Sequence, residues 1–301
     1  MLEWLEISPE LTLVATATRA YLHVPNGLGS NPFREPMRGN GSAETTHWLL
    51  EAAIAAAGRA FRQPKCASAS AVDSCAPLSA AHWAYRLAGY FHSTRATRRL
   101  LPLLAQRFVA LGQLGLASWA EHKTTDEAGH DELALRDLRE LGYRAPELVG
   151  AFVPPRAAAW VALFEQLAKE ENPVGCVGYA HALERLALLR GPAEVRAIEQ
   201  SLPRGIHATR CLRVHSALGS DAGHVHANVT ATAALSANDR RAVAEACYLT
   251  ARIYFDPALD DDFRSARLEG KVLTFREHGR CSPKLSQDDA NPISSRQLES
   301  H

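Results

Sequence analysis

Residues 125–138, TDEAGHDELALRDL, combine a helix-forming composition with a glutamate and a histidine at metal-ligand spacing. Glu127 and His130 are three positions apart, so a helix places their side chains one turn apart on the same face. Both side chains can then bind one metal ion. The other acidic residues of the segment also suit a helix face that is turned to solvent, so this segment alone leaves both interpretations open.

Apolar residues at helical spacing recur on both sides of this segment. The breaks between them are typical of helix ends: Gly142, Asn172-Pro173, Gly191-Pro192 and a capping box at Ser236-x-x-Asp239. No βαβ alternation, Gly-rich phosphate loop or G-x-S-x-G motif is present, which excludes dinucleotide-binding, P-loop and α/β-hydrolase folds. The sequence therefore predicts an all-α protein with helices over residues 46–62, 79–91, 94–120, 125–141, 155–171, 174–190, 193–218, 221–235 and 236–255.

The two ends of the chain differ from its middle in composition. Residues 1–78 are predicted to be an irregular N-terminal extension with one helix and polar loops. Within it, the alternating residues Leu11–Ala15 form either a short strand or an irregular cover over the core. Residues 79–256 are predicted to form the helical domain. Residues 257–301 are charged and polar, and we expect a disordered tail.

Composition and charge exclude several classes of protein. The 301 residues are 47% hydrophobic, which is ordinary for a folded protein, and 33 basic residues balance 33 acidic ones, so nucleic acids and anionic membranes are unfavourable partners. No run of about 20 apolar residues is present to span a membrane. The six cysteines have no C-x-x-C spacing, which argues against a zinc knuckle or a redox motif and favours the reducing cytoplasm.

A second segment places a carboxylate in apolar surroundings. In residues 178–189, GYAHALERLALL, Glu184 lies in an almost wholly apolar helix, so we expect it to be buried. Its charge then needs compensation, either by metal ions or by an internal ion pair. His181 shares the helix face of Glu184, and its neighbours leave open whether it binds metal or only packs.

A third segment, residues 211–229, has the sequence CLRVHSALGSDAGHVHANV. Asp221 and His224 are three positions apart and can share an ion. His215 precedes Asp221 by six residues, which turns it about 240° away from Asp221 in a regular helix. A distortion at the glycine-serine pair between them would bring His215 to the common face, and otherwise His226 takes its place.

Together the three segments supply a mixed set of nitrogen and oxygen ligands. Such a set suits iron or manganese, whereas zinc sites more often use cysteine, or three ligands with one open position. Ferritin-like bundles repeat Glu-x-x-His on two helices, and here only Glu127-x-x-His130 has that form. A ferritin-like fold is therefore a poorer match.

Over residues 80–256 the sequence resembles the haem-oxygenase-like diiron oxidases and oxygenases. These share their fold with haem oxygenase, thiaminase II and the cofactor-free pyrroloquinoline quinone synthase. The resemblance lies in the order and separation of four stretches: Tyr90-Phe91-His92-Ser93-Thr94, Asp126-Glu127-Ala128-Gly129-His130-Asp131 with the leucine-rich run to Leu141-Gly142, Ala182-Leu183-Glu184, and residues 215–224. It implies an all-α, haem-oxygenase-like helical bundle.

The resemblance also implies a ligand set and an activity. Two Fe(II) ions per chain are expected, with Glu184 bridging them, on the ligands Glu127, His130, Glu184, His215, Asp221 and His224. The family usually spaces its last three ligands as H-x-x-x-D-x-x-H, and the first gap here is longer by two, which puts His215 in question; Glu121 is an alternative to Glu127. The implied activity is oxidation of a small molecule by O2, through N-oxygenation, desaturation or oxidative C–C cleavage in a biosynthetic pathway. A homodimer is a possible assembly for this protein.

The sequence leaves three alternatives open. A metal-free fold-mate, either a cofactorless oxidase or a thiaminase-like hydrolase, would use pocket histidines and glutamates as acid and base, and the hydrolase would need a thiol such as Cys176 or Cys211. A haem protein would hold its haem non-covalently through one histidine, because no C-x-x-C-H motif is present. A helical scaffold protein with incidental histidines is the third.

Overall fold

The computed structural model describes residues 3–8, 11–23, 42–61, 78–216, 221–259 and 266–277. Within these residues the chain forms a small sheet and an array of helices. The strands are β1 (Glu3–Ser8), β2 (Leu11–Ala15) and β3 (Ala20–His23). The helices are α1 (Ala43–Ala60), α2 (Ala80–Ala110), α3 (Leu114–Asp126), α4 (His130–Glu140), α5 (Ala145–Ala151), α6 (Pro155–Lys169), α7 (Gly175–Ser201), α8 (Arg210–Val214), α9 (Asp221–Ala233), α10 (Ala237–Phe255) and α11 (Ala266–Leu273), with a 3-10 turn at Pro257–Leu259.

Helix α2 is continuous where the sequence predicted a break after residue 91. It begins at the N-cap Ser79, whose hydroxyl accepts a hydrogen bond from the His82 amide at 3.1 Å. The hydroxyls of Ser93 and Thr94 donate back to carbonyls one turn earlier, at 3.1 and 2.8 Å, so these polar residues are satisfied inside the helix. The actual break comes at Gly112, which has φ of +71°.

The helix predicted over residues 125–141 is in fact two helices. Gly129 lies between them with φ of +82°, a left-handed conformation that glycine adopts at little cost. Glu127 is the C-cap of α3, and His130 is the first residue of α4. The two proposed ligands therefore face each other across a tight turn rather than along one helix.

The prediction of a helix break at Gly191-Pro192 is wrong, because both residues lie inside helix α7. A Cβ atom on Gly191 would lie 2.8 Å from Cβ of Ser216, so glycine is needed there for the close approach of another segment. The predicted helix over residues 193–218 is likewise wrong, because α7 ends at Ser201 and the short α8 follows at Arg210.

Other predicted helix ends are confirmed. Asn172-Pro173 separates α6 from α7, and Gly142 terminates α4 with φ of +81°. The hydroxyl of Ser236 accepts a hydrogen bond from the Asp239 amide at 3.2 Å, which is the predicted cap of α10.

The N-terminal residues form a regular antiparallel sheet in the order β1-β2-β3. Of the two possibilities for Leu11–Ala15, the strand is therefore confirmed. The sheet buries Leu5 and Leu13 in the same apolar cluster as α1, and an ion pair between Glu3 and Arg240 joins β1 to α10. Both members of this pair are almost fully buried.

The helices bury two apolar clusters. The first contains residues of α1, α3, α6, α10 and the C-terminal half of α2, and the second contains residues of α4, α5, α8 and the N-terminal half of α2. Helices α2 and α7 contribute to both clusters, since Leu186 lies in the first and Ile198 in the second. The α3–α4 turn, with α3 in the first cluster and α4 in the second, lies where the clusters adjoin.

The sequence did not predict α5 or α11. Within the region predicted to be a polar tail, α11 buries Val272 in the second cluster, and an isolated bridge pairs Arg276 with Tyr143. Residues 278–301 lie outside the described residues. Among the described helices none is long and apolar enough alone to cross a membrane; α5 and α6 reach that length and composition only as a pair bent by 75°.

Candidate metal centre

Three side chains converge at the α3–α4 turn. Glu127, His130 and His215 each offer a ligand atom, and these atoms lie within 4.8 Å of one another. Glu127 is buried, and the two histidines are half-buried. The arrangement brings one carboxylate and two imidazoles from three different element ends to one point.

Hydrogen bonding and ring packing hold the three side chains together. Nδ1 of His130 donates to Oε2 of Glu127 at 2.9 Å. The rings of His130 and His215 meet edge to face, with centroids 4.7 Å apart. His130 thus contacts both Glu127 and His215.

The electrostatic environment keeps the carboxyl group of Glu127 ionised. Burial alone raises its pKa, but the hydrogen bond from His130 and the positive potential of His215, His130 and Lys123 lower the pKa to about 2. A buried carboxylate that stays charged at neutral pH is ready to bind a cation.

His215 reaches this point because the third segment is not one helix. His215 is the C-cap of α8, and α9 begins at Asp221, with residues 217–220 outside the described residues. The 240° rotation expected for a continuous helix therefore does not apply. Gly191 of α7 makes room for the backbone at residues 215–216, next to the His215 side chain.

Glu184 is buried, as the sequence predicted, but it is compensated by an ion pair. The ammonium of Lys123, itself only 3% exposed, contacts Oε1 of Glu184. The side-chain amide of Asn228 donates to Oε2 at 2.6 Å. Of the two possibilities for Glu184, the structure shows the internal pair, with a lysine of α3 as the partner.

A buried hydrogen-bonded chain extends this ion pair. Nε1 of Trp119 donates to Oδ1 of Asn228 at 2.8 Å, so both ends of that amide are engaged. Sequence reasoning missed Lys123 and Asn228. One signal could have found Lys123: it continues the buried positions 116, 119 and 120 of α3 at helical spacing and lies four residues before Glu127.

The other residues predicted as metal ligands lie in different surroundings. His224 lies between two carboxylates: its Nε2 is 3.2 Å from Oδ2 of Asp126, and its Nδ1 is 3.9 Å from Oε1 of Glu184. Asp221 begins α9, but its side chain is outside the described residues. The two fallback ligands, His226 and Glu121, are exposed.

His181 is completely buried in α7, and neither ring nitrogen has a hydrogen-bond partner among the described residues. Burial, together with the positive charges of His47, Arg185 and Lys123, lowers its pKa to about 3. His181 is therefore neutral at physiological pH.

The buried cysteines do not support thiol catalysis. Cys176, Cys211 and Cys247 are free and buried, and burial raises the pKa of each thiol. A raised thiol pKa suppresses the nucleophilic thiolate that a thiaminase-like hydrolase would require. Cys66 and Cys75 lie outside the described residues.

The side chains at the α3–α4 turn fit a transition-metal ion. One carboxylate and two imidazoles form a ligand set that is found at both non-haem Fe(II) sites and catalytic Zn(II) sites. A cleft of about 800 Å³ lies between α2, α4 and α6, and none of the three clustered side chains lines it. Asp131, the residue after His130, lines the cleft, and Arg98 contacts it at 3.3 Å.

No protein-family model and no curated protein sequence matches the chain. Its structure is similar to the crystal structure of a domain of unknown function with a haem oxygenase-like fold from Shewanella denitrificans OS217. The TM-score is 0.56 and the sequence identity is 21%, over 76% of this chain and 96% of that one. The chain accordingly has the haem oxygenase-like fold, as the sequence predicted.

Proposed function

We propose that this chain is a non-haem iron oxidoreductase that uses O2 to oxidise a small molecule. The observation that carries the proposal is the convergence of Glu127, His130 and His215 on one point. Two imidazoles with a single carboxylate suit Fe(II) or Zn(II) better than Mg(II), and the family resemblance favours Fe(II) of the two. N-oxygenation, desaturation and oxidative C–C cleavage in a biosynthetic pathway are the candidate reactions.

Two Fe(II) ions per chain form the proposed cofactor. Glu127, His130 and His215 hold the first, and Glu184 with His224 and Asp221 of α9 holds the second. Bound iron supplies open coordination positions where O2 binds and is reduced. The 3.9 Å between His224 and Glu184 supports the second site, and the pairing of Glu184 with Lys123 means that this site has to be opened before use.

The protein's own residues orient and insulate the iron ligands. The Trp119–Asn228 hydrogen bond orients the amide that donates to Glu184, and the apolar residues of α3 and α7 exclude water from this carboxylate. The cleft lined by Asp131 is the candidate approach for the small-molecule substrate.

The test is anaerobic reconstitution with Fe(II), followed by iron analysis and exposure to O2. We expect about two irons per chain at saturation and O2 consumption with a transient visible absorption band. The variants E127Q and H215A should lose the first ion. H226A is the matched control, because His226 is exposed on α9 and should be dispensable.

Two results would contradict the proposal. One is less than about one iron per chain in the wild-type protein with no change in E127Q. The other is loss of iron in H226A but not in H215A, which would place the centre elsewhere.

A further inference from the structure

Lys123 occupies the place where a second cation would meet Glu184. Its ammonium contacts Oε1, while Asn228 donates to Oε2, so both oxygens of the buried carboxylate have partners. The first site differs in composition, because it combines one carboxylate with two imidazoles whose ligand atoms lie within 4.8 Å of one another. One site is therefore assembled for a metal ion, and the other is filled by the protein's own charge.

We propose that Lys123 is a built-in counter-cation that must leave Glu184 before the second metal ion binds, so that the two sites fill in a fixed order. The inference rests on the proposed function. The ion at Glu127, His130 and His215 binds first, with Lys123 in place, and the ion at Glu184 binds second, in exchange for the ammonium.

Charge is the physical basis of this exchange. A divalent ion on Glu184 and an ammonium on the same carboxylate would be like charges a few ångströms apart in a poorly solvated interior, where repulsion is strong. Without any cation, Glu184 would be a buried, uncompensated anion, which is also unfavourable. One cation at a time is the stable arrangement at this carboxylate.

The exchange requires little movement of the backbone. Four methylene groups separate the ammonium of Lys123 from its Cα, so the charge can leave Glu184 while α3 remains packed. His224 is already 3.9 Å from the contacted oxygen, and it lies on a different helix from Lys123. The second site can therefore form around Glu184 once the ammonium has gone.

Titration of the metal-free protein with Mn(II), followed by the electron paramagnetic resonance signal of free Mn(II), separates the two binding events. The wild-type protein should bind one ion tightly and the second much more weakly. In K123M the second dissociation constant should fall by about tenfold or more, because each 1.4 kcal/mol of repulsion removed is a factor of ten. Magnetic coupling between the two ions should then appear at lower total Mn(II).

Two further variants make the test independent of whether K123M folds well. K123R keeps a permanent charge that binds carboxylates through two N–H groups, so its second ion should bind more weakly than in the wild type. K169M removes an exposed lysine of α6 and should leave both constants unchanged. In K123M/E184Q the second ion should be lost.

The outcomes distinguish this inference from the proposed function. If the first ion binds but K123M and K123R have the wild-type second constant, Lys123 does not control the second site. If neither the wild-type protein nor K123M binds a first ion, and H215A changes nothing, the metal centre itself is wrong.

Discussion

Glu127 and His130 show how far residue spacing alone predicts a site. The separation of three correctly paired them, yet the expected helical face does not exist, because Gly129 turns the chain between them. A tight turn and one turn of helix bring residues three positions apart to similar side-chain distances. The two residues are therefore paired even though the predicted helix is absent between them. Glu184 shows the opposite case: its burial was predictable, whereas its partner Lys123 depends on how α3 packs on α7.

His181 should make the protein sensitive to acid. Its pKa is about 3 in the fold against an ordinary value of 6.5, so the folded state stays neutral while the unfolded chain takes up a proton below pH 6.5. Its contribution to stability is complete above that pH and falls by about 1.4 kcal/mol per unit as the pH drops toward 3.

The variant H181L should remove this loss of stability at acid pH. Since the ring nitrogens have no hydrogen-bond partner among the described residues, the substitution should be nearly neutral at pH 7.5. At pH 5 it should be more stable than the wild type by about 2 kcal/mol, measured by urea unfolding at both pH values. The exposed His207 provides the control H207L; an equal pH slope in H181L and the wild type would contradict the prediction.

Two glycines of α7 determine how closely neighbouring segments approach this helix. A Cβ on Gly178 would lie 1.9 Å from the carbonyl oxygen of Val243, so α7 and α10 pack backbone to backbone there. Gly191 does the same for the segment that carries His215. The sequence analysis interpreted Gly191-Pro192 as a helix break, because glycine at a helix end and glycine at a helix contact look alike without the partner.

The variant G191A should therefore affect metal binding from a distance. Its new methyl group would push against Ser216, 2.8 Å away, and displace the neighbouring His215. We expect the first ion to bind about tenfold or more weakly, together with a loss of about 1–3 kcal/mol in unfolding free energy. Calorimetric titration with Mn(II) and thermal unfolding measure the two effects.

The control for G191A is G115A. Gly115 is also helical, but nothing lies within 4 Å of its added Cβ, so the variant should be slightly stabilised and bind metal normally. Equal metal affinities in the two variants would mean that Gly191 does not position His215.

A buried ion pair, Glu3 with Arg240, joins the N-terminal sheet to the helical array in addition to their apolar contacts. Burial raises the pKa of Glu3, and Arg240 opposes that rise. Removing only the arginine would leave an uncompensated carboxyl group between the sheet and α10.

We expect R240M to lose about 3–5 kcal/mol in unfolding free energy, because it breaks a buried pair on one side only. The double variant E3Q/R240M should recover part of that loss. Urea denaturation at neutral pH measures both, with R196M on the exposed side of α7 as the control. A loss in R240M no larger than in R196M would show that the pair does not stabilise the molecule.

Local patterns in the chain were sufficient for the helical class, for several helix ends and for the proximity of Glu127 to His130. Periodicity, caps and spacing are properties of neighbouring residues, so they can be read without a partner. The three-way meeting of Glu127, His130 and His215 and the pairing of Lys123 with Glu184 could not be read in this way. Each depends on how distant helices pack and on which charges share one buried volume, and long-range packing determines both.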